Sequence, residues 1–310
     1  MTTRIVDTHQ HVNWHQRNAE GLVRDMDEHG ISYAWLLTWY TQPDDPVSEG
    51  ASLNPLNVRN DGTQEGITLR DIVEAKERYP DRFVVGYCPN PRWRNACKYL
   101  ENAHRMHGAR VCAEWKFRTL IDDPRSIEIF RLAGSLGMPV VIHLDVPYLA
   151  TESGGKAYQP NWYGGTVENF ERAIQACPDT VFVGHAPGFW REISADADDA
   201  TVPYPNSKVV MTGKLYRLFD TYPNLYADLS AGSGRIALSR DPEHAMAFIK
   251  KYSDRLLFGR DHYEQKLHEF LQTLPLDPSD RDRIYFQNAE RLVKPPASNG
   301  NTPGRLLYSV

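Results

Sequence analysis

The sequence predicts a (β/α)8 TIM barrel of α/β class with long βα-loop insertions, and three observations carry that expectation. Short apolar runs alternate about eight times with segments of helical spacing. The 310-residue length suits one barrel of roughly 250 residues plus insertions. The first strand candidate is not followed by the Gly-x-Gly-x-x-Gly of a doubly wound dinucleotide-binding sheet, the main competitor.

The strand candidates, in order, are Arg4–Thr8, Ile31–Thr38, Arg82–Cys88, Ala109–Phe117, Met138–Leu144, Thr180–Gly184, Asn224–Leu229 and Arg255–Gly259. Between the second and third, Ile72-Val73-x-Ala75 has the spacing of a helix face. Between the fourth and fifth, Asp123-Pro124 reads as an N-cap and first turn. Ile127, Ile129, Phe130, Leu132 and Ala133 form the apolar face, and Gly137 marks the end. Three insertions, 41–66, 145–166 and 186–207, are rich in Gly, Pro, Asn and Asp, and each follows a strand. In a barrel such loops build the active-site face. Residues 1–293 are expected to form one domain. Residues 294–310 read as a tail of linker composition, expected to wrap the barrel or reach a neighbouring subunit.

Composition narrows the function. Hydrophobic residues make up 41%, charged residues 24%, and the formal net charge is −5, so nothing recruits nucleic acid or an anionic membrane. Cys88, Cys97, Cys112 and Cys177 are scattered with no Cys-x-x-Cys, as in a reducing cytoplasm. No signal peptide or membrane-spanning stretch is read, and a cytoplasmic protein acting on a small-molecule substrate is expected.

Chemistry concentrates at strand ends. The first strand runs Asp7-Thr8-His9-Gln10-His11, and strand alternation would project His9 and His11, with Asp7, to one side. The fifth ends at His143, the sixth at His185, and the eighth at Gly259-Arg260-Asp261. Four histidines and an aspartate at the C-terminal ends of barrel strands form a metal-ligand pattern.

In this order these residues resemble the amidohydrolase superfamily, in the amidohydrolase-related branch similar to aminocarboxymuconate-semialdehyde decarboxylase. Asn224–Ser230 is similar to that branch's seventh strand, and Phe286–Leu292 to its closing helix. The resemblance implies a metal centre in which His9, His11, His143 and Asp261 hold one divalent ion, with Zn²⁺ expected. It places His185 beside the ion's water as acid–base group, and Asp261 also as proton acceptor. A homodimer is common among such relatives.

On the fourth strand, alternation puts Glu114, Lys116 and Arg118 on one face and Val111, Ala113, Trp115 and Phe117 on the other. The charged face is expected to point inward. Binuclear relatives carry a bridging carboxylated lysine on this strand, which the mononuclear branch does not use. Glu114 is read as an extra metal ligand or as the partner of Lys116 or Arg118, with pairing preferred. Arg118 is read as an anchor for an anionic substrate group, since guanidinium and carboxylate match bidentately, and Lys116 is a further substrate-binding candidate.

Trp14, His15 and Arg17 could line the pocket, and for Trp14 pocket and core weigh equally. Tyr40, Tyr148, Trp162 and Trp190 are read as pocket walls or loop packing, and Arg191 and Arg235 as carboxylate binders or single surface arginines, with the surface role preferred. His29, His104, His107, His244 and His268 are read as surface residues on helices, and His262 as pointing away from the site. The function expected is metal-dependent hydrolysis of an amide, lactone or ester. Non-oxidative decarboxylation of an unsaturated or aromatic acid is the alternative.

Overall fold

The computed structural model describes residues 4–41, 52–159, 162–198, 202–210 and 213–297. Among these, eight parallel strands follow one another around a ring: β1 (Ile5–Gln10), β2 (Ile31–Leu36), β3 (Phe83–Val85), β4 (Cys112–Trp115), β5 (Val140–His143), β6 (Phe182–His185), β7 (Leu225–Asp228) and β8 (Leu256–Leu257). β1 to β3 form one ladder and β4 to β8 a second. Single parallel bridges join them at both seams, Gly86 to Val111 and Gln10 to Asp261. The fold is the (β/α)8 barrel, with each predicted strand present in shortened or shifted form.

Two apolar layers hold it. Val6, Trp35, Val84, Val111, Val141, Val183 and Leu257 fill the barrel interior. Ile5, Leu36, Phe83, Trp115, Ile142 and Phe182 face outward into the surrounding helices. Each fully buried side chain of this kind contributes about 1.5–3 kcal/mol relative to exposure. Ala289 and Val293 join the inner layer, so the closing helix Asn288–Leu292 seals one end. Arg4 pairs with Glu290 and Arg110 donates to the Lys294 carbonyl, which identifies that end as the one where strands begin. The opposite end is left for chemistry.

The helices start where capping chemistry allows. α1 (Ala19–Glu28) is capped by Asn18, and α2 (Leu69–Arg78) by a reciprocal Thr68–Asp71 box. α3 (Ala96–His107) ends on left-handed Gly108. α4 (Pro124–Ser135) opens on Asp123, whose carboxylate accepts from Arg125 N, with proline in the first turn. No described helix is long and apolar enough to cross a membrane.

Two strands depart from simple alternation. In β4 the pairing register shifts between Cys112 and Trp115. Val111 and Ala113 face inward with the barrel core, and across the shift Glu114 also turns to the interior end, while Trp115 and Phe117 stay outside. The expected apolar outer set is thus split. In β1 the register shifts between Asp7 and Gln10. Asp7 consequently does not join the histidines; its carboxylate binds Arg260 Nε at 2.8 Å. Such irregularities re-aim side chains at barrel rims.

His244 is a further correction. It is buried, with Nε2 2.5 Å from the Tyr216 hydroxyl, because its helix Pro242–Tyr252 turns that face onto the helix Lys214–Thr221. Of the tail, Lys294 to Ala297 are described, and the expectation for the rest lies outside the described residues.

Candidate metal centre and active site

At the strand-end face, His9 and His11 leave β1 with their rings 5.3 Å apart. Nδ1 of His9 donates to Asp228 Oδ2 at 2.6 Å, and Nδ1 of His11 to the Leu37 carbonyl at 2.8 Å. Committing both Nδ1 protons turns both Nε2 lone pairs to the centre. His143 and His185 are register partners on adjacent strands, with ring centroids 5.4 Å apart. Nδ1 of His143 donates to Glu114 Oε1 at 2.8 Å, and Nδ1 of His185 lies 3.0 Å from Ser230 Oγ. Asp261 follows β8 in a left-handed turn at φ 61°, a conformation aspartate tolerates, and its N–H donates to the His9 carbonyl at 2.8 Å.

The donors surround a common volume. His9 Nε2 is 3.8 Å from Glu114 Oε1 and 3.7 Å from Asp261 Oδ1. His11 Nε2 is 3.6 Å from Glu114 Oε2 and 3.5 Å from Asp261 Oδ1. His185 Nε2 is 3.9 Å from Glu114 Oε1 and 3.8 Å from Asp261 Oδ2. Ligands bound at about 2.1 Å to one ion lie roughly 3–3.5 Å from each other. His9 Nε2 and Glu114 Oε2 are buried with no hydrogen-bond partner, an arrangement costly to a protein unless something else binds there. A divalent cation fits both the spacing and the orphaned atoms. Glu114 belongs to two donor groups, one with His9 and His11, the other with His143 and His185.

The electrostatics point the same way. Burial opposes ionisation of Glu114, yet Lys116 and His143 hold its carboxyl well below the usual range. Asp228 and Asp261 are likewise held low against burial, chiefly by His9. Burial disfavours a charged His9, but Asp261 and Asp228 outweigh it and carry the imidazole up to about 10, so a bound ion would take the place of the proton on its Nε2. Burial lowers His11 to about 4, against the pull of Asp261. Burial, reinforced by His9, lowers His185 to about 3, so it stays neutral. Three carboxylates held in the ionised form at one centre suit a cation.

The centre opens into a pocket of about 370 Å³, a size that takes a small organic molecule. Lys116 enters it with its ammonium 3.9 Å from the Trp39 ring centroid and 5.6 Å from that of Tyr163. Trp14 lines the pocket and also packs with Trp39, Leu53 and Ile67, so both readings of it hold. Insertion 145–166 supplies Asp145, Gln159 and Tyr163, and insertion 186–207 supplies Ala186, Pro187, Pro203 and Tyr204.

Other expected residues fall elsewhere. Arg118 lines a neighbouring cleft instead of this pocket. Arg17 binds Asp25 and stacks over Tyr263. The Tyr40 hydroxyl accepts from Leu69 N, and buried Trp190 donates to the Asp228 carbonyl. Arg191, expected at the surface, is buried and donates to the Ala197 carbonyl. His262, expected to point away, lines the pocket 4.9 Å from the Trp14 ring, because the turn at Asp261 reverses the strand's alternation.

The sequence reading missed Asp228, Ser230, Asp145, Trp39 and Tyr204. For Asp228 a signal existed: a carboxylate ending the apolar run Leu225–Asp228, as His143 and His185 end theirs.

A family model described as amidohydrolase matches residues 6–294. The chain belongs to the amidohydrolase family. This amidohydrolase matches no curated protein. Among solved structures it is similar to 5-carboxyvanillate decarboxylase from Sphingomonas paucimobilis, at TM-score 0.59 and 14% identity over 94% of this chain and 99% of that one. A dihydroxybenzoic acid decarboxylase from a Polaromonas species, with bound manganese and 2-nitroresorcinol, aligns at TM-score 0.55 and 15% identity over 94% and 97%. A probable 2-pyrone-4,6-dicarboxylic acid hydrolase from Acinetobacter baumannii aligns at 0.51 and 14% over 93% and 98%. At such identities these likenesses speak for the barrel, and the family match makes the chain an enzyme of amidohydrolase type.

Proposed function

We propose that this amidohydrolase is a metal-dependent hydrolase that opens an amide, lactone or ester bond in a small acidic or cyclic substrate. The observation that carries the reading is His185: its Nδ1 rests on Ser230 Oγ while its Nε2 faces Asp261 and Glu114. A neutral imidazole held by one nitrogen keeps the other for proton exchange with a reacting group.

His9, His11, His143 and Asp261 are assigned to the ion, with Glu114 as a further ligand. Zn²⁺ suits this nitrogen-and-carboxylate set, and the manganese of one structural neighbour is the competitor. When bound, the ion polarises a carbonyl and acidifies a water. Asp228 and the Leu37 carbonyl fix the rings of His9 and His11. Asp261, with Oδ2 3.8 Å from His185 Nε2, would accept the proton of the reacting water. Lys116 receives a substrate carboxylate, and Trp14, Trp39 and Tyr163 wall off water from a flat ring.

Decarboxylation is the second reading, and Lys116 in the pocket favours it, because a carboxylate placed there could be the leaving group. Metal-loaded protein assayed on lactones, amides and esters should release acid without carbon dioxide. Carbon dioxide from unsaturated or aromatic acids, with no hydrolysis, would establish the second reading. Absence of turnover on both panels would sink both.

Four unpaired cysteines suit the cytoplasm. A homodimer, which the family resemblance implies, is checked by analytical ultracentrifugation.

A further inference from the structure

Tyr204, on the insertion that follows β6, lines the metal pocket together with Lys116, Asp145, Gln159, Tyr163 and Ser233. Several of these polar groups are already engaged. Gln159 Nε2 donates to the Val146 carbonyl at 2.6 Å, and Ser233 Oγ to the Ser230 carbonyl at 3.4 Å. Tyr163 has a partner of its own. The Tyr204 hydroxyl makes no hydrogen bond with any described residue. Burial, with the charges of Asp145 and Asp261, raises its pKa, so it stands as a protonated donor at neutral pH.

The chain around Tyr204 holds it in place. Pro205 biases it toward extended backbone, and Pro203 precedes it with a set φ. Between this Pro-Tyr-Pro segment and the helices Pro187–Trp190 and Ala231–Ser239 only about 10 Å³ stays empty, room for one water at most. The return leg is clamped. Arg240 donates to the Ser207 and Lys208 carbonyls and to Asp196 Oδ2 at 2.6 Å, and Ser207 Oγ donates to the same carboxylate oxygen at 2.8 Å. Val209 N and Val210 N donate to Asp241 Oδ2 and Ser194 Oγ.

Asp145 supplies the complementary group. Its Oδ1 accepts from Val146 N at 2.8 Å, and its Oδ2 stands 3.7 Å from His143 Nε2. Burial opposes its ionisation, but His143, Gln159 and the Val146 amide hold the carboxyl low. A carboxylate accepts about four hydrogen bonds, so these contacts leave it acceptor capacity. We propose that Tyr204 and Asp145 together read a hydroxyl group of the substrate, the phenol donating to its oxygen and the carboxylate accepting its hydrogen, while Lys116 holds a carboxylate; this rests on the reading of the pocket as the substrate site. A hydroxyl both donates and accepts, whereas a second carboxylate would meet Asp145 and Asp261 as like charges. The substrate class is thus a carboxylic acid that also carries a hydroxyl.

Isothermal titration of the full-length, metal-loaded protein with benzoate, 3-hydroxybenzoate and 4-hydroxybenzoate tests the assignment. In neither hydroxy acid can the hydroxyl chelate the ion together with the carboxylate. Binding is read instead of turnover, so failure here leaves the hydrolytic reading standing, and failure of hydrolysis leaves this one. At least one hydroxybenzoate should bind about tenfold or more tighter than benzoate, because the ligand without a hydroxyl leaves polar groups unpaired. Tyr204→Phe should shrink that margin to about threefold or less, with benzoate affinity and metal content unchanged. Asp145→Asn should shrink it too at matched metal content, whereas Lys116→Gln should weaken all three acids alike. A margin kept in Tyr204→Phe would overturn the proposal, as would an equal loss of benzoate affinity, the mark of a merely structural role. Equal affinity of all three acids for the wild-type protein, or no binding of any, would overturn it as well.

Discussion

Asp228, at the end of β7, accepts a 2.6 Å hydrogen bond from Nδ1 of His9, which stands near the end of β1. The pair spans 219 residues of sequence and fixes which nitrogen His9 presents to the centre. Asp228→Asn should therefore weaken metal binding about tenfold to a hundredfold, the usual cost of removing such a partner. Competition with a chromogenic chelator measures this, and an unchanged affinity would remove Asp228 from the design.

Elemental analysis should find one divalent ion per chain. A ratio of two would make Glu114 a bridge between His9 with His11 and His143 with His185. Chelation should lower the melting temperature, since ion at a hundredfold excess over its dissociation constant stabilises by about 2.7 kcal/mol.

His185→Asn should lower turnover by roughly 10²–10⁴-fold, the typical contribution of a positioned acid–base group. The ion should remain bound, whereas Asp261→Ala should lose ion and turnover together. Full activity in His185→Asn would rule out its proton role.

Arg260 is buried between two carboxylates, binding Asp7 at 2.8 Å and Asp25 at 2.6 Å. This ties the strand before Asp261 to β1 and α1. Arg260→Gln should destabilise the fold by about 3–5 kcal/mol, because it leaves the buried Asp7 carboxylate without its counter-charge, while Asp25 keeps Arg17. Urea denaturation reads the loss; a change under 1 kcal/mol, the scale of an exposed pair, would show that the network contributes little.

Burial lowers the pKa of His244 below its ordinary 6.5. The unfolded chain thus takes up the proton more readily than the folded one. The contribution to stability is whole above about pH 6.5 and declines as pH falls toward the folded value, by about 1.4 kcal/mol per tenfold difference in proton affinity. His244→Gln should flatten the stability profile between pH 7 and 5. A profile identical to wild type would place the titration elsewhere.

The alternation of apolar runs and helical segments made the barrel legible, because period-2 and period-3.6 burial leave direct marks on a sequence. His9, His11, His143, His185 and Asp261 were legible for a related reason: each stands at or just past the C-terminal end of a strand candidate, and parallel barrel strands bring all such ends to one face. Asp7 and Glu114 were harder. Their directions depend on register shifts in β1 and β4, which arise from pairing with neighbouring strands and leave no local pattern.

By itself the sequence determined the fold, the ligand-type residues at the strand ends and the family these imply, since all three rest on residue type and period. Only the tertiary structure decided that Glu114 stands among the donors, that Asp228 orients His9, and that Lys116 and Arg118 part into separate cavities. Those are matters of distance between segments far apart in the chain, fixed by how the strands close on one another.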